Sequence, residues 1–326
     1  MPHRDLFDIE LQPAIGARFQ PTGFPDIGAA TFRRPVTRPD GEEAWEDCIL
    51  VESSQSMANH LEAAGWDAAT QEPSAALAGL PYVRVVGTDG RYLASSRTEA
   101  HRLAGAFIKD ARLDGVEMRD VIRERLHLRD DTPLSPRDIA SAVFQLDPLC
   151  LLHGVFFAEP AKVWPGQPKI ARAVTAFVEA YDVEQALSGG VKRDEVRHTV
   201  GDGEGGGAAE GYGFVPFHRT EWVARTIVAS FSIDRSQLDS YGLSKAATEL
   251  LYVLARWEIR QLLDRGFRPR TACDLVPVAP EMVDGLLPAA DELERSLSDL
   301  IASCHDFLGD GTPLQVVWES GKRRKP

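Results

Sequence analysis

The run Ser53-Ser54-Gln55-Ser56 follows the apolar stretch Cys48-Ile49-Leu50-Val51 and leads into Met57, Leu61 and Ala64, whose i, i+4, i+7 spacing predicts a helix. Three hydroxyls and an amide therefore crowd a helix start. Unpaired N–H groups and the positive end of the helix dipole favour an anion there, and hydroxyls and amides can add hydrogen bonds without charge. The same residues fit a plain N-cap, in which one serine oxygen accepts an N–H of the first turn. Both readings stay open on local pattern, and Gly65 is the expected stop of the helix.

Two other clusters could do chemistry. His218-Arg219-Thr220-Glu221 sets an imidazole, a guanidinium and a carboxylate together before a strand, which suits either an RNA-cleaving acid–base pair or an Arg–phosphate clamp steadied by Glu221. Arg97-Thr98-Glu99-Ala100-His101-Arg102 concentrates donors, for RNA contact or for internal salt bridges. His153-Gly154 precedes Phe156-Phe157, and both rings are assigned to the core. None of the eight histidines forms a metal-ligating pair at helical spacing, and Cys48, Cys150, Cys273 and Cys304 form no C-x-x-C pair. They are expected as buried, small apolar side chains. Gly201-Asp202-Gly203-Glu204-Gly205-Gly206 matches G-x-G-x-x-G in letters only, since neither a buried strand nor a helix flanks it.

The elements that must position these groups are read from periodicity. Strands are expected over 5–11, 48–51, 81–86, 173–181, 222–233 and 270–278, and helices over 135–146, 244–264 and 291–307. The Pro- and Gly-rich segment 13–40 reads as an ordered loop or insertion, and 187–217 as a long excursion between two strands. Strands interleaved with few helices indicate an α+β fold. A chain of 326 residues with 44% hydrophobic content can bury a large core. It carries no apolar stretch of membrane-spanning length and no signal peptide, so a cytoplasmic location with no membrane partner is expected. The net charge of −13 argues against nucleic acid, but residues 40–52 and 274–310 together hold −14, so the remainder nets +1 and leaves room for a local basic groove. The basic tail Lys322-Arg323-Arg324-Lys325 reads as a solvated end.

The Ser-Ser-Gln-Ser element after a strand resembles the S-S-Q-S-x-K-R-A element of guide-RNA-binding backbone subunits of type I CRISPR surveillance complexes. Further stretches resemble the type I-G (formerly I-U) branch of this RAMP superfamily: 16–26, 79–83, 151–157, 188–192, 215–221 and 270–274. One departure is plain, because Ala58-Asn59 stands where Lys-Arg is expected, so phosphate charge must be met from elsewhere in the fold. The resemblance implies a modified RNA-recognition-motif (ferredoxin-like) palm in one elaborated domain over 1–326, with a fingers-like insertion at 66–147 and a thumb hairpin at 187–217. It implies a non-enzymatic scaffold of the Cascade type, without cofactor or metal, that polymerises head-to-tail along crRNA. Its other partners would be further copies of itself, the remaining complex subunits and, through the crRNA, target DNA. The residues expected on RNA are Arg18, Gln20, Ser53, Ser54, Gln55, Ser56, Asn59, Arg97, His101, Arg102, His153, Lys192, His218 and Arg219. Arg18 and Arg219 would neutralise phosphates, and Lys192 would ride on the thumb. The alternatives are a metal-independent RAMP-superfamily endoribonuclease that processes CRISPR RNA through His218 or His153, and a self-assembling protein without nucleic acid.

Overall fold

Apolar–polar alternation builds β1 (Arg4–Pro13), which buries Ile9 and Leu11 and leaves Asp8 and Glu10 exposed. The computed structural model describes residues 3–24, 26–193, 214–309 and 311–319, with side chains described outside 191–193 and 214–217. The glycine-rich segment 201–211 and the basic tail lie outside the described residues. After β1 come β2 (Thr31–Thr37), β3 (Glu43–Glu52), α1 (Ser54–Ala64), β4 (Val83–Gly87), β5 (Tyr92–Ser95), β6 (Arg112–Leu113) and β7 (Val116–Glu117). These are followed by α2 (Pro136–Leu146), α3 (Leu149–His153), β8 (Val174–Arg193), β9 (Phe214–Asp234), α4 (Lys245–Arg265), β10 (Phe267–Arg270), β11 (Cys273–Pro277), α5 (Ala290–Ser303) and β12 (Leu314–Trp318).

The fold is α+β. Its main sheet is antiparallel with the order β10-β11-β1-β9-β8-β3-β2. Strands β1 and β8 run the same way with β9 between them, and the chain passes from β3 through α1 before it reaches β8. Helices α1 and α4 pack on each other and α1 packs on β8, so Met57, Leu61, Leu250 and Leu254 share one core with Ile9, Val51, Val178 and Phe231. Ser135 and Ser244 cap α2 and α4 as their positions predict, the first with Pro136 at the opening position.

Two expectations change. Segment 13–40 is not one loop: Thr31–Thr37 forms the edge strand β2, where Pro35 costs no ladder bond that the sheet needs. Its Arg33 and Arg34 pair with Asp47 and Glu46 across the strands, so the acidic run 40–52 is partly neutralised where it folds. The helix expected over 291–307 breaks at Cys304 into α5 and a short turn, His305–Leu308. Gly65 ends α1 as expected, at φ −93°.

Strands β8 and β9 outrun the sheet. The neighbour β3 pairs only as far as Tyr181 and β1 only from Ile227 onward, while β8 and β9 stay paired with each other out to Arg193 and Phe214. About a dozen residues per strand, roughly 40 Å, therefore run beyond these neighbours as a two-stranded arm, its root still held by the bridge from Trp222 to Phe19. Asp182 marks the exit, with φ +52°, a skipped pair in the ladder and an ion pair to Arg225 at 2.6 Å.

A second sheet, β7-β6-β12-β4-β5, carries much of 66–147. Its middle strand β12 comes from the other end of the chain and pairs in parallel with β4, and the apolar, β-branched Leu314–Trp318 that forms it was not picked out from sequence. Two left-handed glycines meet where this strand enters, Gly311 at φ +72° and Gly79 at φ +89°. A Cβ on Gly311 would collide with the Gly79 backbone, and one on Gly79 would meet Ile301 Cγ2 at 2.9 Å. Among the described residues no helix is long and apolar enough to cross a membrane. Gly311→Ala is therefore expected to lower unfolding stability by about 1–3 kcal/mol, the usual cost of overpacking, with chemical denaturation as the measurement. A value within error of the parent would remove this contact as the lock on β12.

Candidate functional site

Helix α1 starts from a buried carboxylate. Glu52, 1% exposed, accepts the Ser53 N–H at 3.0 Å and also holds the Arg270 guanidinium, with His60 Nε2 at 4.0 Å. Ser53 Oγ accepts the Ser56 N–H at 3.3 Å and Ser53 O accepts that of Met57 at 2.8 Å. The Ser53 hydroxyl is thus the N-cap, and Glu52 already supplies an anion at the positive end of the helix. Of the two readings left open for this turn, the N-cap is the one that Ser53 fills. Ser54 and Ser56 are half-buried on the same turn.

The exposed flank of α1 is elsewhere. Gln55 and Asn59, four residues apart, share one face and look into a cavity of about 540 Å³. Its other walls are Ala100, His101, Arg102 and Ala104, Lys109, the turn His153-Gly154-Val155-Phe156, and Ile170 to Arg172. A second cavity of about 300 Å³ shares Asn59 and Ala100 with it and continues along α1 past Ala63 to Trp66. Together they form one groove between α1 and the segment 97–104. Sequence-expected Gln55, Asn59 and His101 meet there, and His101 is exposed.

Three other expected residues are spent inside the protein. Arg102, 6% exposed, makes a two-pronged bond to Glu62 at 2.6 and 2.7 Å and donates to Gly154 O at 3.2 Å. Arg97, 5% exposed, donates to the carbonyls of Leu80 and Pro81 and lies 3.7 Å from Asp147, which also accepts the Ser96 hydroxyl at 2.5 Å. His153 is buried, with Nε2 2.8 Å from Glu258 Oε2. Arg97, Arg102 and His153 are therefore held by internal carboxylates, each needed because a lone buried charge is costly, although Arg102 and His153 also line the first cavity. Burial pushes the Glu62 carboxyl above its ordinary value, against the pull of His153 and Arg102.

Arg18 and Arg219 converge on a single carboxylate. Glu221, 4% exposed, takes Arg18 at 3.2 Å, Arg219 at 2.9 Å and the Ser188 hydroxyl at 3.1 Å. Two cations share one anion, and both guanidiniums remain about half exposed at the root of the arm. The loop bearing Arg18 is fixed by paired bonds between Phe19 and Trp222 and by Gln20 N–H to Ala272 O at 2.7 Å. Gln20 lines a groove of about 600 Å³ with Phe24, Gln185, Thr220 and Trp222. His218 is exposed on the arm, and Lys192 lies in β8 with its side chain outside the described residues.

Phe156, Lys109 and Arg172 also line the first cavity and were not anticipated. Phe156 is 53% exposed while Phe157 is buried edge-on against Trp164. Alternation in a strand signals that one of two adjacent rings must turn outward, but not which. Lys109 and Arg172 belong to no motif, and only the chain path brings them to the groove. The four cysteines are buried and free, and among the described residues no three metal-capable side chains gather.

Residues 6–185 match the family described as CRISPR-associated protein GSU0053. No curated protein sequence matches significantly. A solved chain from a "CRISPR RNA-guided surveillance complex, pre-nicking" is similar at 10% identity over 94% of this chain and 90% of that chain, with a TM-score of 0.34, a likeness too loose to carry an inference.

Arg102→Met is expected to destabilise the fold by about 3–5 kcal/mol, because it strands the Glu62 carboxylate in the interior. Urea denaturation measures it. A loss below about 1 kcal/mol, the level of an exposed pair, would return Arg102 to the pool of ligand-facing cations.

Proposed function

We propose, from the premise that this chain belongs to the CRISPR-associated protein GSU0053 family, that it is the non-catalytic backbone subunit of a type I-G interference complex. It holds the backbone of the guide RNA and repeats head-to-tail along it in the cytoplasm, alongside the other subunits, so that guide bases stay free to pair with target DNA. The single observation that carries the RNA-binding reading is the groove along α1, which offers the amides of Gln55 and Asn59 and the exposed ring of Phe156. Amides and rings grip sugar–phosphate and stacked bases without choosing a sequence, which suits a subunit that leaves selection to base pairing.

The palm, fingers and thumb reading has its own support. Strands β1, β8, β9 and β11 with α1 and α4 follow β-α-β-β-α-β connectivity in the order β11-β1-β9-β8, that of a ferredoxin-like unit, with the hairpin β2–β3 added at one edge. In this reading 187–217, reached along the paired strands beyond Tyr181, is the thumb, and 66–147 is the fingers. A contact between arm and neighbouring copy would be heterologous, so it propagates a filament whose length the RNA sets. His218, exposed on the arm, has no catalytic part in this reading.

Gln55→Ala with Asn59→Ala is expected to weaken single-stranded RNA binding by about 1.5–3 kcal/mol per lost bond to a charged oxygen, with an unchanged melting temperature. Ser53→Ala should do the opposite, costing about 1 kcal/mol of stability while the folded fraction still binds. Fluorescence anisotropy and thermal melts separate the two. Equal RNA affinity of the parent and the double variant would sink the groove as the RNA path.

Binding to unrelated RNA sequences should be near-uniform and should weaken with salt, the signature of backbone contact. The same titrations repeated at several salt concentrations test this. Strong preference for one sequence, or turnover of repeat RNA that His218→Ala abolishes, would favour the endoribonuclease instead.

A further inference from the structure

Apart from the exposed His101, the basic side chains facing the first cavity differ in what they already hold. Arg102 is taken by Glu62, Lys109 by Glu159 at 2.8 Å, and His153 by Glu258. Arg172 differs. It lines the same cavity half-buried, its Nε is buried with no acceptor, and among the described residues the one carboxylate acting on it is Glu62, which Arg102 already occupies with both oxygens. Burial first, and the neighbouring Arg102 charge second, pull its guanidinium below the ordinary value. A cation kept against desolvation and like charge is in a place where an incoming anion gains most.

Its position is built. Gly154 stands at φ +80°, where a Cβ would meet Ile170 O at 2.9 Å and Arg172 N at 3.2 Å, so only glycine lets the two segments close. Val155 pairs with Ile170 on one side of Arg172, and Ala173 N–H bonds Leu152 O at 2.8 Å on the other. The backbone of Arg172 is thereby fixed, and its side chain lines the cavity whose α1 side offers Gln55 and Asn59, amides without charge.

We propose that Arg172 is the charge-bearing residue of an anion seat in this cavity, and that its occupant is a phosphodiester of single-stranded RNA, gripped by Arg172 and by the Gln55 and Asn59 amides. The assignment of the occupant rests on the reading under Proposed function; the seat itself rests on Arg172. A guanidinium presents two parallel donors to a phosphate, whereas the amides only orient it.

The test uses the full chain and the variants Arg172→Gln and Arg172→Lys, with melting temperatures matched to the parent. Anisotropy of a labelled single-stranded RNA is followed across salt concentrations, and inorganic phosphate is titrated separately by phosphorus NMR. Arg172→Gln should bind RNA roughly ten- to a hundred-fold more weakly. Its log–log salt dependence should be shallower by about 0.7, one phosphate contact on a single strand. Arg172→Lys should keep the parent slope. Parent-like affinity and slope in Arg172→Gln would overturn the seat while leaving RNA binding intact. If the parent binds no RNA, the reading under Proposed function fails, and the phosphate arm decides the seat: saturable binding lost in Arg172→Gln supports it, and no saturable binding overturns it.

Discussion

The contact between Arg270 and Glu52 ties together the parts that the candidate interface needs. From β10, Arg270 reaches the buried Glu52 at the end of β3 and also donates to Val51 O and Gln20 O at 3.2 and 2.9 Å. One guanidinium therefore fixes the start of α1, the end of its strand and the loop that carries Arg18. Thr22 N–H to Val51 O at 2.8 Å closes the same joint. Were the pair broken, Glu52 would be left buried and uncompensated, and the helix start, its cap and the Arg18 loop would all lose their reference point.

The internal pairs also explain how an acidic chain can offer a groove to an anion. Asp147, Glu62, Glu258 and Glu52 are buried, and each meets an Arg or His inside the fold. Their charges are cancelled at short range. What the first cavity presents is then set by the few groups left over, amides, an imidazole, a ring and Arg172, while the second also holds the Glu99 carboxylate. Net charge describes the far field, while binding at a few ångströms depends on which charges are already paired.

Much of the fold was legible because apolar periodicity and capping residues are local signals. Ser135, Ser244 and the spacing of Leu250, Leu254 and Trp257 mark helices that the structure contains. The edge strand β2 was hidden by Pro35 and by the glycines before it, since an edge tolerates residues that a central strand rejects. The site was legible in part. Gln55 and Asn59 follow from helical spacing, but whether an arginine is spent on a carboxylate dozens of residues away is a property of the tertiary path, so Arg97 and Arg102 could not be told from Arg172 by type. The partner of Arg102 is 40 residues distant and that of Arg97 is 50 residues away, beyond the reach of any window.

The groove has two walls from two sheets, and this makes its width a consequence of long-range closure. α1 belongs to the main sheet, whereas 97–104 follows β5 of the second sheet, which is complete only when β12 arrives beside β4 from more than two hundred residues later. Two buried bonds then set the gap: Arg102 to Glu62 pulls the segment onto α1, and Ser96 with Arg97 anchors it to Asp147 at the end of α2. Hydrogen bonds between charged, buried partners tolerate little change in length, so the walls are held at a near-fixed separation. A ligand that is wide or rigid would have to break them.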